Sequence, residues 1–483
     1  MISLRRLLIA LLLTAAPALS AQHYESITVE VVDVPVYVER NGRPVTGLRR
    51  EHFELFVDGK RQPVEYFDVI DEADASTVVP IRERRLFLLF FDLAFSHPGA
   101  IRRAQAAALE LLSKAGEGDL FSVATFSARR GLDYVLPFTD DRHGTHDAII
   151  GLGFSPARDP LGLIVSPPPS FMTAPEPQFP SDIFFNAPGK TDTIRTYEAR
   201  QVEQEITELA SVAERLALLK GTKHVIVLSP GFSAATVHDL GRNRGNRPPM
   251  ASPRLIQLLD QMYQRYHSAG IFLHAVDTDG LRVAADALAN DALHLLASGT
   301  GGRVIRHRND LGAALVDLIH EQGTGYLLGF RPNASRRGYR KLAVKLKDVP
   351  GASVRYRRGF SNTPRVPDVT NGMYLADIIL NDVPQSGVPA RIDAMGGSLI
   401  IRLPLQDIAA QLGGPGKAEV LLYIVDNEGT VVDFYERTVE VPANAPKHGM
   451  LSVQLALPKG RYTAKALLRV GDSLGYSKLA FSR

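Results

Sequence analysis

The sequence predicts an α/β protein in which a mostly parallel sheet, covered by helices on both faces, is flanked by an N-terminal and a C-terminal β domain. Short apolar runs alternate with helical patterns through the middle of the chain, which is typical of a parallel sheet buried on both faces. The segments before and after this region alternate apolar and polar residues between turn signals, which indicates antiparallel strands. With 483 residues, 45% of them hydrophobic, the chain can bury several cores.

The first 21 residues, MISLRRLLIALLLTAAPALSA, predict a cleaved signal peptide. Two arginines precede the apolar run Leu7–Leu13, and small residues suited to a signal peptidase follow it. The alternative is an uncleaved anchor, but the run is shorter than the roughly 20 apolar residues that a membrane span needs. We therefore expect a periplasmic or secreted protein with no stable membrane span after cleavage.

Composition excludes several classes of site and partner. The 55 basic and 52 acidic residues are interspersed and give a net charge of +3, so no basic surface for nucleic acid is predicted. Because the chain contains no cysteine, it can form neither disulfides nor a thiolate metal site. The expected partner is a protein of the cell envelope or the extracellular space.

The N-terminal β unit is predicted over residues 25–72, where alternating runs are separated by an Asn-Gly turn and by a second turn at Asp58-Gly59. The α/β region is predicted over residues 84–332, and GLDYVLPF within it predicts an antiparallel edge strand. Its other predicted strands are Leu86–Leu93, Leu120–Phe126, His224–Leu228, Ile271–Val276 and Tyr326–Phe330.

Three further segments are predicted from their composition and residue pattern. Residues 155–190 are too rich in proline for a helix or a central strand, so they predict an insertion that is either an ordered surface excursion or a mobile loop. Residues 333–362 predict a β-hairpin that extends the sheet or caps its edge. Residues 370–483 predict a β-sandwich, with strands at 397–403, 418–425, 431–441, 449–457 and 460–470.

The ordered set LFLLFFDLAFS, GDLFSVATFS, KHVIVLSPGFS and GIFLHAVDTDGL resembles a von Willebrand factor A domain, in the variant found in secreted bacterial, acidobacterial-type proteins. The resemblance covers residues 25–362 and leaves the C-terminal domain outside it. It implies a doubly wound, mostly parallel sheet with a ligand crevice at the carboxyl ends of the strands.

The resemblance also implies a metal-ion-dependent adhesion site, built from an Asp-x-Ser-x-Ser loop, a threonine and a second aspartate. The loop here retains Asp92 and Ser96, but Ala94 replaces the first serine and a methyl group cannot bind a metal. Pro230 stands where the second aspartate is expected, with Ser229 beside it. The nearest candidate threonines are Thr191 and Thr193.

The predicted metal site is therefore degenerate. A weak Mg²⁺ or Ca²⁺ site on Asp92, Ser96 and Ser229 is one interpretation, and no cofactor is required. In the alternative interpretation, backbone amides of the following turn or water satisfy the Asp92 carboxylate.

The other motifs are interpreted as structural features and not as catalytic or ligand-binding sites. The segment around Ser233 lacks the second glycine of a nucleophile elbow, and Asp277 and Asp279 in AVDTDGL lack the later ligands of a calcium loop. His143 and His146 have no evident third ligand for zinc. The glycines of GTGGRV precede a strand, which favours a helix stop over a phosphate cradle.

These observations favour a protein-binding module, used for adhesion or as a scaffold, and not an enzyme. The recognition face is predicted at the loops that follow the strands, because binding residues concentrate on loops held by a rigid scaffold. Its residues are Asp92, Phe95, Ser96, Ser229, Phe232 and Asp277. The alternative is an extracytoplasmic hydrolase that uses Asp92 with a metal-bound water.

Overall fold

The computed structural model describes residues 31–71, 81, 84–152, 159–163, 190–232, 238–239, 250–251, 253–280, 290–333, 336–363 and 368–483. The predicted signal peptide, most of the predicted insertion and Ser233 lie outside the described residues.

The chain forms helices and strands in the order that the alternating patterns indicate. The strands up to the end of the α/β region are β1 (Val32–Arg40), β2 (Arg43–Pro44), β3 (Phe53–Val57), β4 (Lys60–Gln62), β5 (Tyr66–Asp71), β6 (Arg85–Asp92), β7 (Leu120–Ser127), β8 (Gly131–Thr139), β9 (Thr222–Ser229), β10 (His238–Asp239), β11 (Met250–Ala251), β12 (Ile271–Asp277) and β13 (Val304–Ile305). The later strands are β14 (Thr324–Phe330), β15 (Tyr339–Leu346), β16 (Ser353–Tyr356), β17 (Gly359–Ser361), β18 (Arg391–Met395), β19 (Ser398–Leu403), β20 (Gly416–Val425), β21 (Val431–Val441), β22 (Gly449–Gln454), β23 (Arg461–Val470) and β24 (Ser473–Ser482). The α-helices are α1 (Pro98–Lys114), α2 (Arg142–Ile150), α3 (Lys190–Leu216), α4 (Pro253–Ala269), α5 (Asn290–Ser298), α6 (Leu311–Gln322), α7 (Gly372–Leu380) and α8 (Leu405–Leu412).

A six-stranded sheet, in the order β13-β12-β9-β6-β7-β8, forms the centre of the α/β region. Neighbouring strands from β13 to β7 pair in parallel, and β8 pairs antiparallel to β7 at the edge, as GLDYVLPF predicts. Besides this edge strand, four of the five other strands predicted for the α/β region lie in the sheet.

Helices cover both faces of this sheet. Phe87, Leu89 and Phe91 of β6 pack in one apolar cluster with residues of α1, α2 and α6. Leu86 and Leu88 pack in a second cluster with residues of α3, α4 and α5. Successive side chains of a strand point to opposite faces, so a run that is apolar at every position is buried on both.

The fifth predicted strand, β14, lies elsewhere. It pairs antiparallel with β1 on one side and with β5 on the other, so its assignment to the α/β sheet was wrong. The short apolar run TGYLLGF could pair in the α/β sheet or in the N-terminal β unit. Its sequence does not indicate which strands are its neighbours. Pairing with β14 gives β5 its hydrogen-bonding partner and satisfies one edge of β1.

The predicted hairpin of residues 333–362 is also corrected. Its first strand, β15, pairs with β3 and β17, whereas its second, β16, pairs with β1 in the other sheet. The resulting sheets, β16-β1-β14-β5 and β17-β15-β3-β4, share one core that includes Val34, Leu55 and Leu328. The N-terminal β unit is thus completed by the segment that follows the α/β region.

The glycine-rich segment GTGGRV follows α5 and ends that helix at Ser298, which confirms the predicted helix stop. Gly301 has φ +86°, and a Cβ there would lie 2.5 Å from the carbonyl oxygen of Tyr356 in β16. Only glycine allows this backbone conformation together with so close an approach of the β unit to the α/β region.

The C-terminal region contains two sheets, β18-β19-β22 and β21-β20-β23-β24, whose inward residues share one apolar core. Its five predicted strands are present, and β18 and β24 extend the two sheets. Helix α7 connects this region to the α/β domain: Asn381 donates from Nδ2 to the carbonyl oxygen of Phe138 at 3.0 Å, and Asn371 donates to that of Arg215 at 2.9 Å.

In the described part of the chain, no helix combines the length and the hydrophobicity that a membrane span requires.

Candidate functional site

Three of the predicted site residues end adjacent parallel strands. Asp92 is the last residue of β6, Ser229 of β9 and Asp277 of β12, and these strands are neighbours in the order β12-β9-β6. Asp277 is paired in register with Ser229. The fold therefore brings these three residues to one edge of the sheet, called here the carboxyl edge.

Asp92 accepts three hydrogen bonds from its own protein. The backbone N–H groups of Ala94 and Phe95 donate to Oδ1 at 2.9 and 3.0 Å, and the Ser229 hydroxyl donates to Oδ2 at 2.6 Å. Ser229 Oγ in turn accepts from the N–H of Gly231 at 2.9 Å. An aspartate that binds backbone amides two and three residues ahead fixes a turn, so Asp92 shapes the loop that follows β6.

Burial also changes the acidity of this carboxyl group. Asp92 is only 1% exposed, and burial raises its pKa to about 6, although the hydrogen bonds from Ser229, Phe95 and Ala94 act in the opposite direction. Desolvation disfavours a charged carboxylate, whereas donated hydrogen bonds favour it. The three donors are what allow Asp92 to be charged near neutral pH.

A second buried carboxyl group, Glu205 of α3, lies close enough to be affected by the charge of Asp92. Glu205 is completely buried, and neither of its oxygens has a hydrogen-bond partner among the described residues. Burial, followed by the negative charge of Asp92, raises the pKa of Glu205 well above its usual range. Both effects favour the neutral form of the Glu205 carboxyl group, whereas the hydrogen bonds donated to Asp92 favour its charged form.

Sequence reasoning missed Glu205. The available signal was its helical position, because it lies three residues after Val202 and four before Leu209, and both of these are buried. A glutamate within the apolar stripe of a helix indicates a buried acid. Nothing in the pattern indicates that its neighbour is Asp92.

The loops after β6 and β12 are joined by His97. This residue caps α1, since its Nδ1 accepts from the N–H groups of Gly99 and Ala100 at 3.1 and 3.3 Å. Its Nε2 lies 3.0 Å from Asp279 Oδ1. Asp277 Oδ1 accepts from the N–H of Asp279 at 2.9 Å, which fixes the turn that follows β12. His97 was also missed from the sequence.

The predicted recognition face is only partly at the surface. Asp92, Ser229, Phe232 and Asp277 are all buried. Phe95 and Ser96 are partly exposed, and the ring of Phe95 packs against Phe232 with 5.9 Å between centroids. The four buried residues lie below the surface, and the side chains of Phe95, Ser96 and the exposed His97 are accessible to solvent.

The residues at the carboxyl edge do not fit a tightly bound divalent cation. Both oxygens of Asp92 already accept protein hydrogen bonds, and Ser229 Oγ is both donor and acceptor, whereas Mg²⁺ requires close to six oxygen ligands. Thr191 and Thr193 lie in the N-terminal part of α3. Within the described ranges, no group of three or more His, Asp or Glu side chains is arranged to hold a metal ion. His143 and His146 lie on exposed positions of α2 beside Asp147.

No protein-family model matches the chain, and no curated protein matches it. Among solved structures, the chain is similar to an aerotolerance-related membrane protein from Bacteroides fragilis, at 12% identity and a TM-score of 0.27 over 49% of this chain and 98% of that one. It is also similar to the conserved hypothetical protein BatB from Bacteroides thetaiotaomicron, at 11% identity and a TM-score of 0.27. This similarity again covers 49% of this chain and 98% of that one. The chain is also similar to a von Willebrand factor type A protein from Catenulispora acidiphila, at 9% identity and a TM-score of 0.29. This similarity covers 94% of this chain and 74% of that one. Similarity at this level carries no argument about function, which has to come from the geometry of the chain itself.

Proposed function

We propose that this chain is a periplasmic or secreted protein-binding module of the von Willebrand factor A type, used for adhesion or as a scaffold, with a degenerate metal-ion-dependent adhesion site. The hydrogen bonding of Asp92 carries the proposal. Its two oxygens bind the amides of Ala94 and Phe95 and the hydroxyl of Ser229, so this carboxylate supports the shape of a loop. Recognition then depends on the side chains that the loop presents, without a bound cation.

The loop is suited to this role because its support is rigid. Phe95 is held against the buried Phe232, and His97 connects the loop to Asp279 across the carboxyl edge. An aromatic ring that is already ordered loses little conformational freedom when a partner covers it, which favours binding. A partly exposed phenylalanine beside a histidine and a serine fits a protein surface with an apolar contact and polar surroundings.

Among the residues that the structure describes, the arrangement of side chains does not support the alternative of a metal-assisted hydrolase. His97 and Asp279 have the spacing of a base and its orienting carboxylate, but His97 Nδ1 is occupied by two backbone N–H groups and Nε2 faces Asp279. A catalytic base needs one ring nitrogen directed at a substrate or nucleophile. We therefore propose no enzymatic activity.

Capture of partners from envelope extract by the mature chain tests the proposal. Phe95→Ala should lower the recovery of a specific partner, whereas Phe434→Ala, which removes a 42% exposed aromatic ring of the C-terminal domain, should leave it unchanged. A chelator should have no effect on recovery. The proposal fails if the chelator abolishes capture, or if both variants behave like the parent chain.

A discriminating screen for hydrolysis uses ester, peptide and glycoside substrates with and without divalent ions. Turnover that requires a metal and disappears in Asp92→Asn would establish the alternative function.

A further inference from the structure

A cavity of about 220 Å³ lies between strand β13 and helix α6, and it shares no residue with the carboxyl edge. Four apolar residues line it, called here the floor: Val304, Ile305, Ala314 and Leu318. Five charged residues also line it, called here the rim: Arg303, Arg306, Arg308, Asp317 and Glu321. The cavity combines apolar surface with a small excess of positive charge.

Strand β13 is the edge of the central sheet and pairs with β12 alone in the described part of the chain. The backbone of Arg303 faces β12, because its N–H donates to His274 Nδ1 at 3.1 Å and its carbonyl oxygen accepts from Ala275 at 2.9 Å. Alternate residues of a strand direct their backbone groups to opposite sides. The N–H and C=O of Val304 are therefore directed to the open side of the sheet, beside the cavity.

The arginines of the rim differ in their partners. Arg303 forms an ion pair with Glu321, and Arg308 lies 3.6 Å from Asp317. Arg306 is exposed, and no side chain within the described ranges forms an ion pair with it. The positive charge of Arg306 is thus available to an anionic group that enters along β13.

We infer that β13 and this cavity bind an extended, acidic segment of a partner protein by strand addition. The main chain of the segment pairs with the backbone of Val304, one of its side chains enters the apolar floor, and an aspartate or glutamate carboxylate binds the guanidinium of Arg306. Strand addition obtains affinity from main-chain hydrogen bonds and specificity from alternate side chains. A charge-assisted pair with arginine supplies the preference for an acidic segment. This site acts independently of recognition at the carboxyl edge, so either can fail in experiment without the other.

The test uses the full mature chain and a labelled peptide of alternating valine and glutamate, followed by fluorescence anisotropy. The acidic peptide should bind saturably and more weakly at high salt, and a valine–lysine peptide should not bind. Arg306→Glu should weaken binding roughly tenfold or more. Val304→Pro removes the outward N–H without changing charge or the pairing with β12, and it should weaken binding as well.

The matched control is Arg391→Glu, which reverses an exposed arginine on another edge strand, β18, and should leave binding unchanged. Circular dichroism of each variant establishes that it is folded. Equal binding of the lysine peptide, or wild-type affinity in both Arg306→Glu and Val304→Pro, overturns the inference. Light scattering that shows a dimer dispersed by Val304→Pro would also overturn it, since a second copy would then be the occupant.

Discussion

Asp92 and Glu205 form a pair of buried carboxyl groups with different roles. Asp92 has three hydrogen-bond donors, which favour its charged form, whereas Glu205 has none among the described residues, so burial favours its neutral form. Placing two titratable groups in environments of different polarity separates their pKa values. The surroundings of the pair therefore favour a negative charge on Asp92, below the loop that we propose for recognition, over one on Glu205.

The isolation of Glu205 predicts that an apolar replacement stabilises the chain. Burying a polar group without a hydrogen bond costs about 1–3 kcal/mol, so Glu205→Leu should raise the free energy of unfolding by an amount of that order. Glu205→Gln retains a polar group and is the matched control, with no expected gain. Urea denaturation at neutral pH measures both. A marked loss of stability in Glu205→Leu would show that the carboxyl group has a bound partner, such as water or an ion.

The ligand count at Asp92 predicts that the carboxyl edge binds no metal tightly. Calorimetry with Mg²⁺, Mn²⁺ and Ca²⁺ should detect no association stronger than the millimolar range, because the available oxygens are few and already hydrogen-bonded. A micromolar dissociation constant that is lost in Asp92→Asn would contradict this prediction and restore a functional adhesion site.

His224 of β9 and His274 of β12 form a second buried pair, on adjacent strands of the central sheet. Arg303 donates to His274 Nδ1, so the proton of His274 is on Nε2, which donates to His224 Nδ1 at 3.1 Å. Burial lowers the pKa of both residues well below the ordinary value of 6.5. Both are therefore neutral in the folded chain, and unfolding at acidic pH takes up protons.

The histidine pair predicts a loss of stability as the pH falls below about 6.5, since the unfolded chain then binds more protons than the folded one. His224→Phe preserves a ring between Phe87 and Phe272, and it should reduce the difference in unfolding free energy between about pH 7.5 and pH 5.5. The exposed His143→Gln is the control and should keep the full difference. An unaltered pH dependence in His224→Phe would count against the pair as its source.

At the scale of elements, α7 fixes the C-terminal region to the central sheet through a buried ion pair. Arg84, directly before β6, donates from Nη2 to Asp377 Oδ2 at 2.5 Å, and the two side chains are 7% and 1% exposed. Arg84 Nε also donates to the carbonyl oxygen of Lys220, and Asp377 Oδ1 accepts from Asn381. Each charged group thus has a hydrogen bond in addition to the ion pair, and such additional bonds are what allow a buried ion pair to be tolerated.

Removal of one member of this pair should be costly. Asp377→Asn leaves the Arg84 charge buried without its counter-charge, and we expect it to lower the free energy of unfolding by about 3–5 kcal/mol. The double variant Arg84→Met/Asp377→Leu should recover most of this loss. In contrast, Glu440→Gln, which breaks an exposed pair with Lys417, should change stability by less than about 1 kcal/mol. Chemical denaturation compares the four chains, and similar effects of Asp377→Asn and Glu440→Gln would refute the role given to α7.

At the scale of the whole molecule, the N-terminal β unit is built from segments on either side of the α/β region. Strand β14 lies between β1 and β5, and β15 lies between β3 and β17. The buried Leu328 and Phe330 of β14 depend on this pairing. The N-terminal strands are therefore part of the fold and not a separable leader to the α/β region.

This arrangement predicts that a chain beginning at residue 84 does not fold to a stable monomer. Without β1, β3 and β5, the apolar strand β14 has two unpaired edges, which favours aggregation. A chain beginning at residue 31 retains these strands and serves as the control. Size-exclusion chromatography and thermal melts should show aggregation or a much lower melting temperature only for the shorter chain. A monomeric shorter chain with an unchanged melting temperature would favour the domain division that the sequence suggests.

The sequence by itself determined where most strands and helices lie and which residues end the central strands. The run that ends in Asp92 has apolar residues at nearly every position, and that local pattern is sufficient to predict a strand buried on both faces. The substitution of Ala94 for a serine is equally visible in the sequence, because a methyl group has no ligand atom in any fold.

Only the tertiary structure decided which distant segments meet. TGYLLGF predicts a strand but does not indicate whether β12 or β1 will pair with it, because backbone hydrogen bonds are the same for every partner. The neighbours of Asp92 and His97, which are Glu205 and Asp279, are far away in the chain and carry no matching local signal. Burial and electrostatic interaction depend on distances in space, so the acidity of Glu205 and the exposure of Phe95 were decided by packing.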